Sequence, residues 1–196
     1  KELASYFKSA SALVELNLSW NCLRSASVIL ANLAGLRLKK LNLSYCGLGD
    51  DTSVVLAELI SQNKELLEVD ISHNCLAKEF AMALANAIPS SSLKLLDIGF
   101  QPLGTAGTFA IIQALGGNVS MSLLGCENTV AAGDECEVLP QIRNALQARK
   151  AYAEERDLHN VGSCNVIYEF PQRSRSTTQN SIRSRMHEQF EKQIEF

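Results

Sequence analysis

The chain has no run of apolar residues long enough to cross a bilayer; the roughly 18–20 consecutive apolar positions that a spanning helix needs are never reached. It has little excess charge: 18 Lys and Arg stand against 21 Asp and Glu, a net charge of −3. That near-balance gives no electrostatic reason to expect nucleic acid or an anionic membrane as partner. No phosphate-cradling loop of the G-x-x-x-x-G-K or G-x-G-x-x-G type occurs. The three histidines, His73, His159 and His187, sit in no nucleophile arrangement with Cys or Ser. The six cysteines lack C-x-x-C spacing, which argues against zinc, and their placement favours reduced thiols over a disulfide framework. With catalytic, metal and cofactor signatures missing, we expect a protein that is not an enzyme and holds no cofactor.

What is present is a repeat. Leu13-Val-Glu-Leu-Asn-Leu-Ser-Trp-Asn-Cys-Leu23 returns as Leu38-Lys-Lys-Leu-Asn-Leu-Ser-Tyr-Cys-Gly-Leu48 and Leu66-Leu-Glu-Val-Asp-Ile-Ser-His-Asn-Cys-Leu76. It returns again as Leu93-Lys-Leu-Leu-Asp-Ile-Gly-Phe-Gln-Pro-Leu103, with Gln101 in the slot held by Asn21, Cys46 and Asn74. A degraded fifth copy is read at 119–129, with Ser122 at an apolar position and Glu127 in the Asn slot. Leu16 and Leu18 are two apart and so share one face of a short strand, the core face. Asn21 and Asn74 follow the strand, where their amides can bond turn backbone. Between strands, residues 25–33, 50–62, 79–88 and 105–115 carry apolar stripes at helical spacing, with Asp50 or Asp51 as N-cap of the second. Residues 1–7 fit the same helical slot.

These copies match the leucine-rich-repeat consensus, and strand plus full helix at about 28 residues resembles the ribonuclease-inhibitor-like branch of that family. The resemblance implies an α/β solenoid, with a parallel sheet on the concave face and helices on the convex face. We expect a repeat domain at 1–129, lacking its N-terminal repeats, a capping loop and helix at 130–160, and an extended tail at 161–196. The start at Lys1, inside a repeat, suggests a piece of a larger polypeptide.

The outward strand positions form columns across the expected sheet: Glu15, Lys40, Glu68, Leu95 and Met121; Asn17, Asn42, Asp70, Asp97 and Leu123; Ser19, Ser44, Ser72, Gly99 and Gly125. A fourth column, Trp20, Tyr45, His73 and Phe100, lies just past the strands. It is either a stacked spine that ties repeats together or an exposed strip that anchors a partner. The capping helix is read at 139–156 with Leu139, Ile142, Ala145 and Leu146 on one face. Residues 165–170 look strand-like and end at Pro171. Arg173, Arg175, Arg183 and Arg185 then form a basic cluster among Ser and Thr, suited to an acidic partner or to phosphorylation. Ile182, Met186, Phe190 and Ile194 recur at i+4 and would form one apolar helix stripe that must be buried somewhere.

The expected function is a non-catalytic protein–protein interaction scaffold within a large complex, without small-molecule substrate, nucleic acid or membrane. Leu16–Asn21 also resembles repeats of ciliary axoneme subunits of the nexin–dynein regulatory complex kind, which implies a cytoplasmic, cytoskeletal setting in a cilium or flagellum. Two alternatives follow from the same repeat branch: a GTPase regulator similar to the Ran activator, and the sensor repeats of a nucleotide-binding innate immune receptor.

Overall fold

The computed structural model describes residues 12–23, 26–130, 133–158 and 161–168. Six short strands make one parallel sheet in sequence order: β1 Glu15–Asn17, β2 Lys40–Asn42, β3 Glu68–Asp70, β4 Leu95–Asp97, β5 Leu123–Gly125 and β6 Asn165–Ile167. Helices α1 Ser27–Leu33, α2 Ser53–Gln62, α3 Lys78–Ala87, α4 Gly104–Ala114 and α5 Val138–Glu155 return the chain between them. Each helix packs on the next, so the sheet forms one layer and the helices the other. A parallel connection needs a long crossover, and the repeat supplies it as a helix.

The middle residue of each three-residue strand points inward. Leu41, Val69, Leu96 and Leu124 form one buried row, and Leu43, Ile71, Ile98 and Cys126 form the next. Leu30, Leu56, Leu84 and Ile111 meet them from the helices. Fully burying such a side chain is worth about 1.5–3 kcal/mol. Helices α3 and α4 approach closely because Gly107 has no side chain: a Cβ there would lie 2.8 Å from the Ala81 Cβ.

The fifth repeat sits two residues later than the sequence pattern suggests. Leu123 pairs with Leu95 and Gly125 with Asp97. Met121 is therefore a core residue, not a sheet-face one, Leu123 is in the first column, Gly125 in the second and Glu127 in the third. A slip of two keeps the alternation of the strand residues Leu123, Leu124 and Gly125, so alternation alone cannot detect it, while Met121 and Ser122, which now precede the strand, exchange roles. The second helix also begins differently. A 3-10 turn at Asp50–Thr52 precedes α2, and Thr52 occupies the N-cap without a side-chain capping bond; neither aspartate caps the helix. In α5 the inward stripe is Val138, Ile142, Ala145, Arg149 and Ala153, whereas Leu139 is 51 % exposed. Residues 165–167, expected at the start of an extended tail, pair with β5 as the last strand of the sheet.

Candidate functional site

The strand exits are built from three recurring bonds. First, the second-column side chain turns back on its own chain. Asn17 Oδ1 accepts from Ser19 N at 2.9 Å, Asn42 Oδ1 from Ser44 N at 2.9 Å, Asp70 Oδ1 from Ser72 N at 3.0 Å and Asp97 Oδ1 from Gly99 N at 2.9 Å. These are Asx-type turns, which stop the strand after three residues. The row ends at Gly125, where a Cβ would stand 3.0 Å from Asp97 Oδ1.

Second, the slot residue donates to the carbonyl three residues earlier: Asn21 to Leu18 at 2.9 Å, Asn74 to Ile71 at 2.8 Å, Gln101 to Ile98 at 3.3 Å and Thr129 to Cys126 at 2.8 Å. Asn74 also accepts from Cys46 N and Leu48 N, both at 3.0 Å, and donates to Leu43 O at 3.0 Å. The expected turn-bonding role of Asn21 and Asn74 is thus observed. Cys46 fulfils the role with its thiol, which donates to Leu18 O at 3.0 Å.

Third, the residue before each slot has a left-handed backbone. Trp20, Tyr45, His73 and Phe100 have φ of 61°, 56°, 55° and 58°, and Asn128 continues the column at 51°. A side chain in this region costs roughly 1–2 kcal/mol. The backbone ladder runs on through it: Trp20 N donates to Ser44 O at 3.0 Å, and His73 N to Gly99 O at 2.9 Å. The left-handed turn aims the four rings at one another. Centroids are 3.9, 4.1 and 4.2 Å apart and the planes tilt by 10°, 11° and 8°. The column is therefore a stacked spine, and also partly a surface strip: Trp20, at its outer end, is 72 % exposed.

Beside the spine, the sheet face forms a shallow concavity of about 320 Å³ lined by Glu15, Asn17, Lys40, Asn42, Glu68, Asp70 and Leu95 among others. Lys40 Nζ lies 3.6 Å from Glu15 and 3.5 Å from Glu68, and Asn42 donates to Asp70 at 3.2 Å. The structure lines up Glu15, Asn17, Trp20, Lys40, Asn42, Tyr45, Glu68, Asp70, His73 and Phe100 along the face and rim, with Asp97 in the row but buried and Met121 in the core; Arg173, Arg175, Ile182, Arg183, Met186, Phe190 and Ile194 lie outside the described residues. Among the described residues, no group of three His, Cys, Asp or Glu side chains could hold a metal ion, and no helix is long and apolar enough to cross a membrane.

A family model described as Leucine Rich repeat matches residues 38–51. With six parallel strands and their helices in register, that settles the architecture. The fold is that of a leucine-rich-repeat solenoid. The chain is 31 % identical over 131 residues to NACHT, LRR and PYD domains-containing protein 12 of Mus musculus, a match covering 63 % of this chain and 12 % of that protein. The chain thus spans about an eighth of that relative's length. Two solved structures share the fold at a TM-score of 0.59 each. They are leiomodin-1 actin-binding site 2, at 18 % identity over 80 % of this chain and 95 % of that one, and the tropomodulin C-terminal domain of Caenorhabditis elegans, at 17 % over 80 % and 96 %.

Two features of the repeats escape a hydrophobic pattern. Arg149 on α5 is 5 % exposed. Its guanidinium donates to the carbonyls of Asn118 at 2.7 Å, Val119 at 2.9 Å, Met121 at 2.8 Å and Gly162 at 2.7 Å. It joins the last helix to the approaches of both β5 and β6. Arg149 continues the inward stripe of α5, but its charge makes it read as a solvent-facing position. The other feature is the thiols. Burial pushes Cys126 up to about 12, helped by the Asp97 and Glu127 carboxylates; burial also raises Cys46 and Cys164. Cys22, Cys75 and Cys136 are exposed, and all six are free.

Proposed function

We propose that the chain is a non-catalytic protein–protein interaction module that docks a partner across the sheet face and the stacked rim. Trp20 carries this reading: a largely exposed indole stands at the end of a rigid ring stack, beside a polar concavity. Tryptophan is enriched in interface hot spots, and a ring already held by its neighbours loses little freedom on binding. Tyr45, His73 and Phe100 extend the apolar rim. Glu15, Asn17, Lys40, Asn42, Glu68, Asp70 and Asp97 supply the polar contacts of the adjoining face. As a structural subunit of a large cytoskeletal assembly such as an axoneme, the module would act in the cytoplasm; the Leu16–Asn21 resemblance supports that setting. A second setting, the repeat domain of a nucleotide-binding receptor, is favoured by the 31 % identity to the mouse protein, whose name joins NACHT and LRR.

Affinity purification of tagged wild type and Trp20→Ala from native lysate, quantified by mass spectrometry, tests the proposal. A protein enriched on wild type and depleted at least tenfold on Trp20→Ala, with unchanged circular dichroism, supports it. Axonemal subunits or receptor-pathway proteins in that fraction decide the setting. Identical recovery on both refutes a role for the rim.

A further inference from the structure

The sheet face is acidic. Glu15, Glu68, Asp70 and Glu127 place four carboxylates along its columns, Asp97 is buried beside them, and Lys40 is the basic side chain of the columns among the described residues. The chain carries the complementary charge itself. Residues 172–186 hold Arg173, Arg175, Arg183 and Arg185 and no Asp or Glu. The connection between the two is short. β6 is parallel to its neighbours, so the chain leaves it at the strand end that bears the aromatic rim. Six strands about 4.8 Å apart make a sheet roughly 24 Å wide. Fifteen residues can span up to about 50 Å, so the segment can reach every strand from its own edge.

We propose that the arginine segment 172–186 docks on the acidic sheet face of its own chain. The guanidinium groups suit this surface, because each can bond a carboxylate with two parallel N–H groups and can stack on an aromatic ring. The tether makes the contact intramolecular, at an effective concentration that a separate basic peptide has to exceed. A partner that uses the sheet face then has to displace the segment. Ser174, Ser176, Thr177 and Thr178 lie between the arginines, and a phosphate on any of them adds roughly −1.5 to −2 charges and repels the face. The inference does not depend on the partner reading and is tested on the isolated protein.

The test is amide hydrogen exchange of the full chain, followed in peptides covering 172–186. Three proteins are compared: wild type, Glu15→Gln with Glu68→Gln, and a variant with all four arginines changed to Gln. Glu15 and Glu68 pair with Lys40 in partly solvated contacts that contribute little to folding, and an unchanged circular dichroism spectrum and urea midpoint are required of both variants before exchange is compared. In wild type at about 50 mM salt, exchange of 172–186 is expected to be slowed at least tenfold. That protection is expected to vanish in both variants and at about 0.5 M salt, where charges are screened beyond roughly 4 Å. It is expected to be independent of protein concentration. Protection that rises with concentration would assign the face to a second copy and overturn the proposal. Unprotected exchange in wild type, or protection that survives in either variant, overturns it as well.

Discussion

Replacing Arg149 tests whether the last helix holds the end of the sheet in place. The guanidinium makes four bonds of 2.7–2.9 Å to backbone carbonyls, three in the turn before β5 and one at Gly162 before β6. Bonds to a charged group are worth about 1.5–3 kcal/mol each, and acceptors left buried add their own desolvation cost. Four such bonds on one side chain are not additive, and local opening lets water reach some of the carbonyls. Arg149→Met should therefore cost about 3–5 kcal/mol, the range for removing one member of a buried charged group. For a chain of this size that lowers the melting temperature by on the order of 10 °C. Arg149→Lys concentrates its donors on one nitrogen, cannot span both approaches, and should lose more than half as much. The loss should be local first, since repeats couple only to their neighbours. Urea titration gives the total, and hydrogen exchange resolves its place: peptides covering 161–168 should lose protection before those covering α2 and α3. A cost below 1 kcal/mol for Arg149→Met, or unchanged exchange at β6, would refute the argument.

Three further outcomes are expected. At Tyr45, where φ is 56°, Gly should be more stable than Ala by about 1 kcal/mol in urea, the reverse of the usual order, because both lose the stack but only Ala keeps the left-handed strain. Gln101→Asn should stabilise by about 1–2 kcal/mol: Gln101 Oε1 is buried without a partner, whereas Asn74 Oδ1 accepts two N–H groups, and an equal or lower urea midpoint would sink the comparison. A thiol reagent at neutral pH should label Cys22, Cys75 and Cys136 and reach Cys46, Cys126 and Cys164 only on unfolding. The native Cys126 keeps its proton up to about 12 while the unfolded thiol loses it near 9.0, so its contribution to stability is complete below 9 and declines above it. The decline approaches about 1.4 kcal/mol per pH unit for this one group, and a stability flat from pH 9 to 11 would show that Cys126 is hydrated.

The strands of the first four repeats were legible residue by residue, because Leu16, Leu41, Val69 and Leu96 stand at fixed distances from an Asn-type slot. The fifth was misplaced by two because Thr129 holds the slot with a hydroxyl, which no Asn-based consensus anticipates. The pairing of β6 was invisible for another reason. Its neighbour in the sheet is set by α5 and Arg149, and an arginine on an amphipathic helix reads as a solvent-facing residue until its carbonyl partners are seen. The rim was legible as a column but not as a geometry. Recurrence of Trp, Tyr, His and Phe at one offset says that the rings are neighbours; only the backbone says that each is aimed by a positive φ.

That geometry divides the candidate residues into two groups with different expected phenotypes. Asn17, Asn42, Asp70 and Asp97 hold strand exits through their Oδ1 atoms, so changing them to Ala frees a turn N–H and costs stability whether or not a partner binds there. Asp97 is the most exposed to this effect, because it is buried and packs against Gly125. Lys40 pairs with Glu15 and with Glu68 across the strand rows at 3.6 and 3.5 Å, in contacts that are partly solvated and so contribute little to folding. Trp20 has most of its surface in water. Ala at Asp70 or Asp97 should therefore lower the urea midpoint by the equivalent of about 1–3 kcal/mol, while Glu15→Ala and Trp20→Ala should shift it by less than about 0.5 kcal/mol and act on partner affinity alone. If Asp97→Ala leaves stability unchanged, the turn bond it accepts from Gly99 is dispensable to the fold. If Trp20→Ala unfolds the chain, the ring stack is a structural spine first, and the rim has to be read as scaffold instead of contact.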